Sequence, residues 1–347
     1  KYLCPRDFRR GEMEENMRKR VCFIILYFGT LPNYFPLFLK SCEYNKNIDW
    51  FIFGDEIEKY EFPSNVYKFI RTFDEIREEI QQKFDFKISL TAPYKLCDYK
   101  VAYGLIFEEY LSLYDYWGYC DIDLIFGNIS KFISDSMLEY YDKIGHLGHF
   151  SLHKNTKDII TTFTKEVDGR KRYQEVFSTE RVCVFDEWNE ISINDIFLKC
   201  GKKIYLKTIW ADIYPFDSYM RMVEYNIESR LSEKKPNNCF FYWDNGNLYA
   251  KYLHFFKQYE YEVMYVHLQK RKMNFKKELE SKESFYIFPN KFIEKRKRIN
   301  YLYCVLWRML NIKRITRGYY TLRYQMIRLT SPMRHKLKGY MIKMKGD

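Results

Sequence analysis

The sequence predicts an α/β protein, with a mixed, mostly parallel sheet flanked by helices and a basic helical extension at its C-terminal end. Three observations carry this. Val21-Cys22-Phe23-Ile24-Ile25-Leu26-Tyr27-Phe28 is a continuous apolar run stopped by Gly29, as expected of a strand buried on both faces. Strand and helix patterns then alternate along the first third of the chain. A later strand, Tyr116 to Cys120, runs into Asp121-Ile122-Asp123, at the carboxyl end where open α/β sheets gather ligands.

The elements follow in order. Asn33 to Cys42, with Phe35, Leu37, Phe38 and Leu39 and with Pro36 in its first turn, reads as a helix. Ile48 to Phe53 reads as a second strand ending at Gly54-Asp55, and Val66 to Ile70 as a third. Asp74 to Phe84 is a charged amphipathic helix behind Phe73, and Val101 to Leu113 a helix with apolar residues at 102, 105, 106 and 110. His146 to His153 and Lys203 to Leu206 are further strands, with a helix over Ile191 to Cys200 between them. Asp244-Asn245-Gly246-Asn247 separates two apolar runs and spells a hairpin, because Asn-Gly accepts the positive φ angles of a tight turn. After Met273 the composition turns to charge, which places a domain boundary near 275 to 290.

Composition narrows the class. A chain of 347 residues, 47% hydrophobic and 20% aromatic, can bury a large core and is not disordered. Nine cysteines, an odd number without a Cys-x-x-Cys pair and mostly inside apolar runs, suit reduced thiols in a cytoplasmic protein rather than a disulfide or zinc framework. The stretch to Arg20 lacks the apolar core of a signal peptide, and no segment reaches the roughly 18 apolar residues of a membrane span. A soluble or peripherally bound protein is therefore expected. The net charge of +12 is uneven: Lys291 to Asp347 holds 16 Lys+Arg against 2 Asp+Glu, so this tail alone carries +14. The charge belongs to the tail, and no nucleic-acid partner is expected for the main domain.

Asp121 and Asp123 lie two residues apart at a strand end, so both carboxylates point to one side and Ile122 to the other. Such a pair repels itself unless a divalent cation sits between its oxygens. The competing reading is that the aspartates cap the turn at Asn128-Ile129-Ser130.

Four segments, Leu90 to Gly104, Tyr116 to Ile129, Phe185-Asp186-Glu187-Trp188 and Tyr265 to Met273, together resemble a family of glycosyltransferases found in bacterial capsule and surface-polysaccharide gene clusters. The resemblance covers roughly residues 20 to 275 and departs from the family at Asn189-Glu190, where small residues are expected. It implies a GT-A-like, Rossmann-like catalytic domain over 20–275, with a nucleotide-sugar half about 20–130 and an acceptor half about 131–275, and leaves 276–347 as the extension. It also implies Mn²⁺ or Mg²⁺ as cofactor, a UDP-sugar as donor, and a saccharide or lipid-linked saccharide as acceptor. The expected donor is a UDP-hexose in pyranose or furanose form.

Site expectations follow residue by residue. His267, alone in an apolar strand, reads either as a core histidine or, as late histidines do in GT-A enzymes, as a third metal ligand beside Asp121 and Asp123. Lys270 and Lys272 follow it and suit a diphosphate. Phe28, Gly29 and Asp55 stand at the ends of the first two strands, where such folds place the nucleoside. Lys95, Asp98 and Lys100 precede the Asp-x-Asp strand and read as either cofactor contacts or surface charge. Asp186 and Glu187 read as caps of the next helix or as the general base of an inverting transfer, a base that a retaining enzyme does not need.

In the tail, Leu302, Val305, Leu306, Met309 and Leu310 form an apolar helix stripe beside Lys295-Arg296-Lys297-Arg298. The stripe suits packing on the main domain or peripheral attachment to an anionic inner membrane surface. Two competing functions are an Asp-x-Asp phosphatase or phosphotransferase, and a non-catalytic polysaccharide- or membrane-binding protein. The phosphatase pattern continues with Gly-Thr where this chain has Leu124-Ile125.

Overall fold

In a computed structural model, which describes residues 19–187, 190–214, 220–226, 231–234, 239–254 and 257–295, the chain is built on three sheets. The first strands, β1 (Val21–Tyr27), β2 (Ile48–Gly54), β3 (Val66–Ile70) and β4 (Tyr116–Cys120), run parallel. β4 then pairs antiparallel with β7 (Phe150–Lys154), β7 antiparallel with β6 (Lys143–Leu147), and β6 parallel with β8 (Ile204–Tyr205). The result is a seven-stranded, mostly parallel sheet in the order β3-β2-β1-β4-β7-β6-β8. The expected mixed α/β class is what the chain adopts.

Both faces of this sheet are covered, which is why β1 reads as an unbroken apolar run. Val21, Phe23 and Ile25 face one core with Phe35 and Phe38 of α1 (Phe35–Glu43). Cys22 and Ile24 face the other, with Ile76 and Ile80 of α2 (Phe73–Gln82) and the helical turns from Leu96 to Leu111. Thr72 closes a capping box with Glu75 and fixes where α2 begins.

A second sheet, β11-β10-β9-β15-β5, contains β5 (Leu124–Phe126), β9 (Ala211–Ile213), β10 (Met222–Asn226), β11 (Leu231–Lys234) and β15 (Tyr265–His267). Asp121-Ile122-Asp123 is thus the link by which the chain leaves the large sheet after β4 and enters this one at β5. A third, antiparallel sheet has the order β14-β13-β12-β16-β17 and comprises β12 (Phe240–Asp244), β13 (Asn247–His254), β14 (Lys257–Glu262), β16 (Ser284–Phe288) and β17 (Lys291–Glu294). The Asn245-Gly246 hairpin joins β12 to β13, both residues at positive φ.

Three expectations need correction. His146 to His153 is not one strand but the hairpin β6–β7, because Gly148-His149 interrupts it. Val101 to Leu113 is not one helix but short turns broken at Phe107; at Gly104 the chain lies tightly on the Trp117 ring, where a β-carbon would come 2.4 Å from it. Residues 276–295, expected to open a helical extension, instead supply β16 and β17, whose Phe285, Ile287 and Phe292 bury into the third core. The proposed boundary therefore cuts a sheet, and the charge after Met273 lies largely in the turn Lys277–Ser281 that leads into β16. The stripe from Leu302 to Leu310, the rest of the tail, Trp188 and Asn189 lie outside the described residues.

Candidate active site

Strand register assembles the acidic centre. β15 pairs antiparallel with β5, His267 opposite Leu124, and the Leu268 N–H donates to the Asp123 carbonyl at 2.9 Å. On its other edge β15 pairs parallel with β9, His267 beside Asp212. One ligand atom each from Asp121, Asp123 and His267 lies within 4.8 Å of the others. Two carboxylates and an imidazole at that spacing are a donor set for a divalent cation. Neither aspartate caps the following turn, whose first flanking residue is Asn128.

The charges here are paired. Asp123 is 4% exposed, and burial alone would raise its pKa. His267, whose Nε2 lies 3.4 Å from Asp123 Oδ1, and the Lys270 N–H, 2.6 Å from Oδ2, overcome that and hold the carboxyl below its usual value. Burial likewise works against a charged His267, but Asp123 and Asp212 hold its pKa well above the usual 6.5. The Lys270 amide reaches Asp123 because Gln269 and Lys270 both adopt positive φ, 53° and 54°. Strain of that kind concentrates at functional loops.

A cleft of about 1030 Å³ opens over this centre. Its lining includes Tyr27, Phe28, Tyr34, Tyr94, Lys100, Asp121, Asp123, Asp186, Glu187, Lys270 and Lys272. The Lys270 ammonium lies 4.4 Å from the centre of the Tyr94 ring, a cation–π contact at the mouth of the cleft.

The opposite corner holds Asp186 and Glu187. They do not cap the next helix: Ser192 does, in a capping box with Asp195. Asn194 donates from that helix to the carbonyls of His146 and Glu187, which fixes the loop against β6. Val184, β-branched yet at φ 53°, turns the chain just ahead of them. Burial pushes the Asp186 carboxyl well up despite Lys100 at 3.7 Å, and Oδ1 has no hydrogen-bond partner. Burial also raises Glu187, although the Gly148 N–H donates to its Oε1 at 3.1 Å. Gly148 leaves room for this pair: a β-carbon there would lie 2.2 Å from Asp186 Oδ2, and the carboxylate would have to shift. Lys100 joins the two corners, with its ammonium 2.6 Å from Asp121 Oδ1 and 2.8 Å from the Gly148 carbonyl. Burial disfavours that charge, but Asp121 and Asp186 raise its pKa well above normal.

Other expected contacts lie elsewhere. Lys95 and Asp98 are a buried ion pair at 2.7 Å, not cofactor contacts. The Lys95 ammonium also donates to the Val176 and Arg181 carbonyls, and Asp98 accepts the Cys183 and Phe185 N–H groups. Together they anchor the loop that carries Asp186. Phe28 lines the cleft and packs edge-on against Phe73. Gly29, at φ 98°, and Asp55 do not line it; the Asp55 carboxylate accepts the Gly29 N–H at 2.9 Å and ties the ends of β1 and β2 together.

Sequence reasoning missed Asp212, His149 and Tyr34. The signal for Asp212 was an acid inside the apolar run Trp210-Ala211-Asp212-Ile213. His149 is buried with its Nδ1 2.9 Å from the Tyr265 hydroxyl. Tyr34 is buried, lines the cleft and has no partner for its hydroxyl.

A family model described as a family of unknown function (DUF6625) matches residues 23–296. No curated protein matches the sequence. Solved structures to which the chain is similar include the galactosyltransferase LgtC in complex with donor and acceptor sugar analogues, at 12% identity over 56% of this chain and 76% of that one, TM-score 0.33. Mouse xyloside xylosyltransferase 1 aligns at 7% identity over 56% and 87%, TM-score 0.31. The glycosyltransferase GlyE of Streptococcus pneumoniae TIGR4 aligns at 12% over 54% and 45%, TM-score 0.29.

Proposed function

The chain belongs to the DUF6625 family, a family of unknown function, and from the geometry of its cleft we propose that it is a metal-dependent glycosyltransferase of the GT-A type. It moves a sugar, best a hexose, from a UDP-sugar to a saccharide or lipid-linked saccharide in bacterial surface-polysaccharide synthesis. The observation that carries this reading is the convergence of Asp121, Asp123 and His267 at a sheet-to-sheet link, beneath a cleft of about 1030 Å³.

Asp121, Asp123 and His267 would hold the cation, and the imidazole favours Mn²⁺ over Mg²⁺. Such an ion supplies Lewis-acid stabilisation of a leaving diphosphate, on the order of several kcal/mol. Lys270 and Lys272, on the same wall, offset the remaining negative charge. Phe28 and Tyr34 border the end of the cleft at β1, where the nucleoside lies in this reading. Across the cleft Asp186, with an unpartnered oxygen and a raised pKa, is the better of the two carboxylates to accept the proton of an attacking hydroxyl in an inverting transfer. Glu187 spends one oxygen on the Gly148 amide. The test is hydrolysis of a panel of nucleotide sugars with Mn²⁺: release of UDP from one UDP-hexose supports the reading, and no release from any, with or without saccharide acceptors, contradicts it.

The basic tail supports a second element of the proposal, peripheral attachment to an anionic inner membrane surface, at about 1 kcal/mol per basic residue near the surface. Because β17 belongs to the third sheet, the truncation that tests it removes residues 296–347. Salt-sensitive flotation with anionic liposomes is expected of the full chain and not of the truncated one. Equal flotation of both refutes it.

A further inference from the structure

His267 is held from two sides, and only one of them faces the cleft. Nε2 points to Asp123, while Nδ1 lies 3.0 Å from Oδ1 of Asp212, which does not line the cleft. Donors converge on Asp212. Besides His267, the Gln269 amide donates to Oδ1 at 2.7 Å, and His149 Nε2 lies 3.9 Å from Oδ2. The far side of His149 is closed by Tyr265, whose hydroxyl is 2.9 Å from Nδ1.

We infer that Asp212 is a positioning residue of the cation site: it accepts the Nδ1 proton of His267 and so aims the Nε2 lone pair at the space between Asp121 and Asp123. This deepens the reading of the cleft as a metal-dependent site and rests on it. The logic is that of metal-bound histidines generally, whose second nitrogen donates to a carboxylate that fixes both tautomer and ring orientation. Parallel register between β9 and β15 supplies the alignment, since paired residues point to the same face.

An alternative is that His149, Asp212 and His267, whose ligand atoms also lie within 4.8 Å of one another, bind a cation of their own. Two features oppose it. The Gln269 NH₂ already sits on Asp212 Oδ1, and it lies 3.2 Å from His267 Nδ1, the nitrogen that would have to ligate.

Titration of the full chain with Mn²⁺ alone, followed by the electron paramagnetic resonance of free Mn²⁺, tests the inference with Asp212→Asn, Asp212→Ala and Asp123→Ala. One Mn²⁺ per chain is expected in the wild type. Asp212→Ala should weaken binding about 10- to 100-fold. Asp212→Asn should weaken it less, because the amide oxygen still accepts the Nδ1 proton, and its metal-free melting temperature should match the wild type. If the wild type binds no Mn²⁺, the metal-dependent reading fails and the inference with it. If the wild type and its dependence on Asp123 stand while both Asp212 variants bind as tightly, the inference alone is overturned. Two Mn²⁺ per wild-type chain falling to one in Asp212→Ala would also overturn it, in favour of an inner site.

Discussion

The two corners of the cleft contain the same functional group and treat it in opposite ways. At the sheet-to-sheet link, buried Asp123 and part-buried Asp212 are held below the usual carboxyl range by His267 and by amide donors. Across the cleft, Asp186 and Glu187 are pushed upward by burial, although Lys100 is near both. Environments that drive carboxylates apart in this way divide labour within a site. In the proposed reading, one corner supplies anions for a cation and the other supplies the base for an attacking hydroxyl.

Removing an anion from the first corner should have the largest effect. Asp123→Ala is expected to abolish transfer while leaving the fold intact, read by activity and circular dichroism together; activity at the wild-type level would end the idea of a cation corner. In the second corner, Asp186→Asn should lower acceptor transfer about 10²- to 10⁴-fold with UDP-sugar binding spared. Normal turnover in both Asp186→Asn and Glu187→Gln would mean that no base is needed there, as in a retaining transfer. Asp98→Ala separates scaffold from chemistry. It leaves Lys95 buried and unpaired, so a loss of about 3–5 kcal/mol in unfolding free energy is expected. Unchanged stability would return Lys95 and Asp98 to the surface-charge reading.

The smallest expected effect is on pH dependence. Because the folded-state pKa of Asp186 lies above its unfolded value, its contribution to stability is present at low pH and is lost as pH rises through the raised value. Asp186→Asn should flatten that fall in denaturant titrations. The lowered pKa of Asp123 gives the opposite sign, stability lost as pH falls, and Asp123→Ala should flatten the acid limb instead. The same flattening in both variants would erase the contrast between the corners.

Much of the first corner was legible in the sequence because it lies on strands. An apolar run that ends in Asp-x-Asp, and a histidine in a second apolar run, fix strand ends by periodicity alone. Asp212 was not legible: its role depends on β9 pairing with β15 across a separation of more than 50 residues, and register between distant strands leaves no local mark. Lys95, Asp98 and Lys100 show the same limit from the other side. Three charges within six residues look alike in sequence, yet the fold buries the first two as a clamp and sends the third into the cleft. The third sheet was half legible. The Asn-Gly turn announced β12 and β13, whereas β16 was hidden by the charged turn ahead of it and β17 by Lys291 and Glu294 at its ends.

Unfolding of the purified full chain with UDP and Mn²⁺ together, against each alone and against EDTA, tests the central claim most directly. Ligand at 100 times its dissociation constant should add about 2.7 kcal/mol to the unfolding free energy. The gain is expected only when both are present and is expected to vanish in Asp123→Ala. Equal stabilisation by UDP in EDTA, or none under any condition, would contradict a cation held by Asp121, Asp123 and His267 beneath a nucleotide sugar.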